Sequence, residues 1–139
     1  MTPDELRELP LFAGLSDAGL ERAAARVGEL ECEPGQVLAL PGDPGSGMFV
    51  IVSGKVDVEA RGASYKLGPG DFFGELALLD PGTERVARVR AATDVRCVAL
   101  GRDDALALIE SEPQLALAML RELARRLADV VDAGAQASA

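Results

Sequence analysis

A chain of 139 residues, 48% of them hydrophobic, has the length and apolar content for one domain built around one continuous core. Aromatic residues are 4% and tryptophan is absent, so that core is aliphatic. The net charge of −9 leaves no broad basic surface for DNA, RNA or an anionic membrane, and the absence of histidine excludes a His-ligated metal, a His general base and a Ser-His-Asp triad.

Residues 1–28 read as two helices. Thr2, Pro3 and Glu5 supply an N-cap, a proline at the first helical position and an acidic residue three places after the cap. Ser16 and Asp17 open a second helix with Leu20, Ala23, Ala24 and Val27 on one face, and Gly28 stands where a C-terminal glycine would end it. Residues 31–100 are broken at short intervals by turn sequences: Glu33-Pro34-Gly35, the run 40–45, Ser53-Gly54, Arg61-Gly62 and Gly68-Pro69-Gly70-Asp71. Between them lie β-rich runs at 37–40, 48–52, 55–60, 64–67, 86–91 and 95–100. The run 55–60 alternates polar and apolar, as a strand with one wet face does. Many short strands at this spacing predict a sandwich, roll or barrel.

Cys32 and Cys97 match no CxxC pattern and read as buried small hydrophobes in a reducing compartment. The acidic N-terminus has no hydrophobic signal segment, and the longest clearly apolar run, 48–52, is too short to cross a bilayer. The expectation is a soluble cytoplasmic protein with no membrane partner.

Residues 102–133 return to helical spacing. A short helix opens at Asp103 or Asp104 and runs through Ile109, and Glu112-Pro113 marks a break. In the longer helix that follows, Ala116, Leu120, Leu123, Leu127 and Val130 form a stripe that packs on the roll, pairs with another helix, or does both. The small and polar tail 134–139 predicts disorder.

One stretch interrupts the strands: Gly70-Asp71-Phe72-Phe73-Gly74-Glu75-Leu76-Ala77-Leu78-Leu79, then Arg85-Val86-Ala87-Arg88-Val89. Glycines at 70 and 74 permit tight backbone, and 75–79 has the look of one or two helical turns. A helix N-terminus and a guanidinium both suit a phosphate, while a carboxylate suits a sugar hydroxyl. The residues alone leave two readings at parity: a sugar-phosphate site, or an Arg85–Glu75 salt bridge over an ordinary turn.

Gly74-Glu75-Leu76-Ala77-Leu78-Leu79 followed by Arg85-x-Ala87-x-Val89 resembles the phosphate-binding cassette of cyclic-nucleotide-binding domains, the family of the catabolite activator protein and of protein kinase A regulatory subunits. Pro10-Leu11-Phe12-x-Gly14-Leu15-Ser16, Gly42-Asp43, Phe49-x-Ile51-x-x-Gly54-x-Val56-x-Val58 and Leu67-Gly68-Pro69-Gly70-Asp71-x-Phe73-Gly74-Glu75 agree with it, over residues 6 to 131. The resemblance implies a mainly β fold with flanking α: a double-stranded β-helix, or jelly-roll-like β-roll, over 31–100. N-terminal helices (1–28), a short phosphate-cassette helix and C-terminal lid helices (102–133) complete one domain, 1–133. It implies that Arg85 pairs with a cyclic phosphate and Glu75 accepts from the ribose 2′-hydroxyl. Backbone N–H groups near Gly74–Leu76 and Val86–Ala87 would complete the cradle, giving a ligand set of Phe73, Gly74, Glu75, Leu76, Ala77, Arg85, Val86, Ala87, Arg126 and Val130. Gly42 and Asp43 are a structural turn.

Two positions depart from the family pattern. Val86 stands where Ala, Ser or Thr is usual, so no side-chain hydroxyl meets the phosphate or a guanine, which favours cAMP over cGMP. Val130 and Val131 stand where hydroxyl residues meet the adenine, leaving base recognition loose or to Arg126, Asp129 or the backbone. Arg126 has a blander reading, a solvated helix face paired with Glu122 at i−4. The function implied is a regulatory module that binds cAMP or a related cyclic nucleotide and signals by movement of the C-terminal helix. The competing reading is a degenerate fold that serves as a protein–protein interaction module without ligand. No nucleophile–base pair or metal cluster points to an enzyme, and no cofactor is expected beyond the nucleotide. The stripe suggests a homodimer through the long helix, against packing on its own roll. The residues after Val131 are too few for the helix-turn-helix of the activator family, which leaves a stand-alone sensor or a fragment separated from its output domain; the charge argues against direct nucleic-acid binding, and the sequence names no downstream effector.

Overall fold

The computed structural model describes residues 1–39, 47–60, 63–74 and 87–138. The turns expected at 40–45 and Arg61-Gly62, and the helical turns expected at 75–79, lie outside them. Two short helices come first, α1 (Pro3–Arg7) and α2 (Asp17–Arg26). Thr2 caps α1 as expected, its hydroxyl accepting from the Glu5 N–H at 3.2 Å, with Pro3 at the helix start. Ser16 caps α2 and accepts from the Gly19 N–H at 3.0 Å. Gly28 is not a helix stop. Val27 is already extended, and Gly28 is the first residue of a strand that the sequence reading missed.

Among the described residues eight strands follow: β1 (Gly28–Cys32), β2 (Val37–Ala39), β3 (Gly47–Ser53), β4 (Val56–Ala60), β5 (Ala63–Leu67), β6 (Phe72–Phe73), β7 (Arg88–Ala91) and β8 (Val95–Gly101). They form two antiparallel four-stranded sheets, ordered β1-β8-β3-β6 and β2-β7-β4-β5. Two helices close the described chain, α3 (Arg102–Ser111) and α4 (Pro113–Ser138). The backbone of α4 is helical to Ser138, and alanines at 133, 135 and 137 favour that conformation.

The side chains sort into two cores, one on each face of the first sheet. Met48, Val50, Phe72, Val98 and Leu100 turn one way, onto Leu6, Phe12, Leu20, Ala105, Leu108, Leu115 and Met119 of the helices and the loop between α1 and α2. Ile51, Phe73, Val95, Cys97 and Cys32 turn the other way, onto Val56, Val58, Leu67, Val89 and Ala91 of the second sheet. The layers are therefore helices, sheet and sheet. This explains the contrast between β3, an unbroken apolar run buried on both faces, and β4, which alternates because its second sheet has one wet face.

Candidate functional site

The candidate site lies where the roll meets α4. Gly68-Pro69-Gly70-Asp71 makes a type II turn, with proline at its second position and Gly70 at φ 89° at its third, closed by the Asp71 N–H on the Gly68 carbonyl at 3.0 Å. The Asp71 carboxylate accepts from the Gly68 N–H at 2.8 Å, and the Gly70 N–H donates to the Ile51 carbonyl, so the turn is fixed to β3. β6 follows at once, pairing Phe73 with Phe49 and Phe72 with Val50. Successive strand residues face opposite ways. Phe73 points into the roll, its ring stacked on Phe49 with centroids 5.0 Å apart. Phe72 points to the helices.

Gly74 ends this strand at φ 92°, a conformation that favours glycine, and directs the chain into segment 75–86. Glu75, Leu76, Ala77, Arg85 and Val86, the heart of the expected ligand set, lie outside the described residues. The chain is described again at Ala87, half-buried against the roll's inner core, and continues as β7. The structure thus brings Gly74 and Ala87 to the two ends of that segment. It places the Phe73 side chain in the core, where only its backbone remains to meet a ligand.

Arg126 is not a solvated side chain, being 18% exposed. Its guanidinium donates to the Phe72 carbonyl at 2.6 Å and to Glu122 Oε1 at 3.1 Å, and lies 4.6 Å from the centre of the Phe72 ring. The solvated pairing falls to its neighbour Arg125, which holds Glu122 at 2.6 Å and Asp129 at 3.2 Å. The Arg125 hydrogen bond, and after it those of Arg126, hold the Glu122 carboxyl below its ordinary range against the opposing effect of burial. Phe72 as the dock for α4 went unforeseen in the sequence; the paired phenylalanines at 72–73 were its only signal.

Val130 is 68% exposed and Val131 60%. The stripe read from the sequence is not the buried one: Leu120, Leu127 and Val130 face outward and Leu123 is only partly buried, whereas the buried side chains are Leu115 and Met119, one residue before Ala116 and Leu120. A period of 3.6 leaves two adjacent stripes on one helix, and contacts with α2 and α3 select the inner one. The outer positions Leu117, Leu120, Ala124, Leu127 and Val131 step by three, four, three and four.

Cys32 and Cys97 are free and buried, on neighbouring strands. Burial, with Cys32 nearby, pushes the Cys97 thiol up to about 11. Among the described residues no cluster of three or more His, Cys, Asp or Glu could hold a metal ion, and no helix is long and apolar enough to cross a membrane.

A two-sheet roll with helices on one face, and a glycine-ended strand that pairs with β3 and carries the docked α4 on Phe72, set the frame of the site. The family model for the cyclic nucleotide-binding domain matches residues 29–112, and the chain belongs to that family. It is 31% identical over 123 residues to the CRP-like cAMP-activated global transcriptional regulator of Mycobacterium tuberculosis, covering 84% of this chain and 54% of that protein. The crystal structure of Thermus thermophilus catabolite activator protein superposes with a TM-score of 0.76 at 35% identity, covering 93% of this chain and 63% of the other. The N-terminal domain of a transcriptional regulator from Streptomyces coelicolor is 38% identical with a TM-score of 0.64, covering 94% and 96%. The chain spans about half the length of the curated relatives it matches.

Proposed function

We infer that this chain binds a cyclic nucleotide, cAMP first among them, and passes the event on through α4. The observation that carries the reading is the framing of segment 75–86. Gly74 leaves β6 on one side and Ala87 enters β7 on the other, both anchored in the roll, and that segment holds Glu75 and Arg85. Arg85 is assigned the phosphate, through two parallel charge-assisted hydrogen bonds, and Glu75 the ribose 2′-hydroxyl. Backbone N–H groups of Gly74, Leu76, Val86 and Ala87 complete the cradle, with Ala77 behind it. Val86 offers guanine no hydroxyl, which favours cAMP. Arg126, already on Phe72 beside this segment, is the link to the lid; Val130 reaches a base only if α4 changes position.

Calorimetric titration of ligand-stripped protein with cAMP and cGMP tests the reading. Arg85→Ala should weaken cAMP binding by about 2–5 kcal/mol, because a desolvated phosphate loses its counter-charge. Unchanged affinity in that variant rejects the assignment. Absence of binding by the wild-type chain transfers support to the ligand-free interaction module.

The partner proposed for α4 is a second copy of the chain. Its exposed Leu117, Leu120, Leu127 and Val131 keep a heptad seam, the spacing that a parallel helix pair buries. Leu120→Glu/Leu127→Glu should convert a dimer to monomer in sedimentation; a wild-type chain that is monomeric at high concentration removes the dimer. A soluble cytoplasmic regulator, with no catalysis of its own, fits the free buried thiols and the regulatory relatives. Net charge −9 argues against a broad electrostatic grip of this domain on a nucleic-acid backbone, although the CRP-like relative is a transcriptional regulator.

A further inference from the structure

Glu112 is the buried charged residue among the described side chains, 7% exposed, and it sits at the junction where α3 ends and Pro113 begins α4. Burying a carboxylate is costly unless its charge is answered. Here the answers all come from α2. The Ser16 hydroxyl donates to Glu112 Oε1 at 2.5 Å while accepting from the Gly19 N–H, so a single hydroxyl caps the helix and holds the carboxylate. Arg22, one turn further along α2, reaches the same oxygen at 3.2 Å. The positive end of the α2 dipole faces the same charge. Gly19 leaves the space: a Cβ there would stand 1.9 Å from Oε1 and 2.5 Å from the carboxylate carbon. Ser16, Gly19 and Arg22 recur every three residues, on one face of α2, and that face is shaped around this carboxylate.

We propose that Glu112 is a positioning residue, whose carboxylate latches the α3–α4 junction to the first turns of α2 so that α4 and the N-terminal helices move as one body when the nucleotide site fills. This rests on the reading of the chain as a nucleotide-binding module. The apolar contacts beneath agree with it, because Leu115 and Met119 of α4 share a core with Phe12, Leu20 and Ala23. Apolar contacts can slide, whereas a carboxylate held by a hydroxyl and a guanidinium fixes direction as well as distance. A ligand that shifts α4 therefore carries α2 with it.

Hydrogen exchange on the full chain, with and without cAMP, tests the latch by comparing 16–22 and 113–119 with β3 and β8 as internal reference. Glu112→Ala removes the carboxylate. Gly19→Ala keeps Glu112 but drives a methyl group into its place, and as a substitution within a helix it otherwise favours the fold. Without nucleotide, both variants should raise exchange in 16–22 and 113–119 at least about threefold beyond any change in the reference strands. Glu112→Gln, which still accepts from Ser16, should restore part of the protection. With cAMP, both segments should respond together in the wild type, and 16–22 should fall silent in the two variants. A rise no larger than in β3 and β8, or a Gly19→Ala variant indistinguishable from wild type, overturns the latch. If cAMP alters no amide of the wild type, the nucleotide reading fails separately, and the ligand-free comparison alone decides the latch.

Discussion

Replacing Arg126 with methionine tests whether α4 is docked on the roll by one side chain. Methionine keeps an apolar stem over the Phe72 ring but removes the guanidinium. Among the described residues two ties to the roll go, a charged hydrogen bond to the Phe72 carbonyl at 2.6 Å and the approach to the ring at 4.6 Å, while the pairing with Glu122 at 3.1 Å lies within α4 and aims the guanidinium. A hydrogen bond to a charged group contributes about 1.5–3 kcal/mol and a partly desolvated cation–π contact about 0.5–2 kcal/mol. Arg126 and Glu122 are only 18% and 22% exposed, so solvent screens their pairing less than it does a surface pair. These contributions overlap, and about 2–3 kcal/mol is a fair net loss, which converts to a shift of roughly 30- to 150-fold in the ratio of docked to undocked helix. Arg126→Lys should fall between, since an ammonium cannot reproduce the planar fork. Hydrogen exchange of 120–131, referred to β3 and β8, reads the shift directly. Exchange within twofold of wild type in Arg126→Met would refute the reasoning and leave the docking of α4, among the described residues, to Glu112 at its start and to Leu115, Met119 and Leu123.

Glu122 makes the docking sensitive to acid. Its folded carboxyl lies below the ordinary 4.5, chiefly through Arg125, so the associated stability is complete above that value and is lost as pH falls through the lower folded one. Melting followed by circular dichroism between pH 6 and 3 should show a loss that Glu122→Gln flattens; equal slopes in both proteins would count against it. Cys97 gives the opposite sign. With its thiol raised from 9.0 to about 11, the folded state binds the proton more tightly than the unfolded chain, so stability should decline above pH 9, by at most about 2–3 kcal/mol near pH 11. Cys97→Ala should lack that decline, and native protein at neutral pH should resist thiol labelling until urea unfolds it. Gly70→Ala should cost about 1–3 kcal/mol, since its φ of 89° strains any L side chain and its Cβ would stand 3.3 Å from Pro10. Gly68→Ala, with open space around the new methyl, is the control expected to melt close to wild type.

The strands that the sequence disclosed are those whose burial pattern is local. The unbroken run of β3 and the alternation of β4 can each be read within six residues. β1 and β6 were hidden for different reasons. Gly-Glu-Leu-Glu-Cys buries only Cys32 fully and begins with a glycine that resembled a helix stop. Phe72–Phe73 is too short for any periodicity and lies inside a motif read for its chemistry. The candidate site was read from a glycine, a carboxylate and an arginine at fixed spacing, Gly74, Glu75 and Arg85, and of these only Gly74 lies within the described residues. The attachments of α4 were not legible, because the partner of Arg126 is a main-chain carbonyl and that of Glu112 a hydroxyl 96 residues away. A backbone acceptor has no sequence signature, and a long-range polar contact has no period.

The grading of these attachments along α4 bears on the proposed route of a signal through that helix. The helix is held at its start by Glu112, then by Leu115 and Met119, and last by Arg126 on Phe72, about 21 Å further along the axis than Glu112. Beyond that point Leu127, Val130 and Val131 are exposed. The roll offers little play, since each sheet is hydrogen-bonded across four strands and close-packed interiors do not deform continuously. Phe72 and Phe73 join the two regimes. One ring is fixed in the roll against Phe49, the next carries the guanidinium of α4, and the residue after them opens the segment that holds Glu75 and Arg85. A ligand can shift α4 only by binding its two positions with different affinity. Among the described residues the Arg126–Phe72 contact is the last tie along α4, and on the proposed signalling route a nucleotide that fills the site and leaves this contact intact would bind without moving the helix.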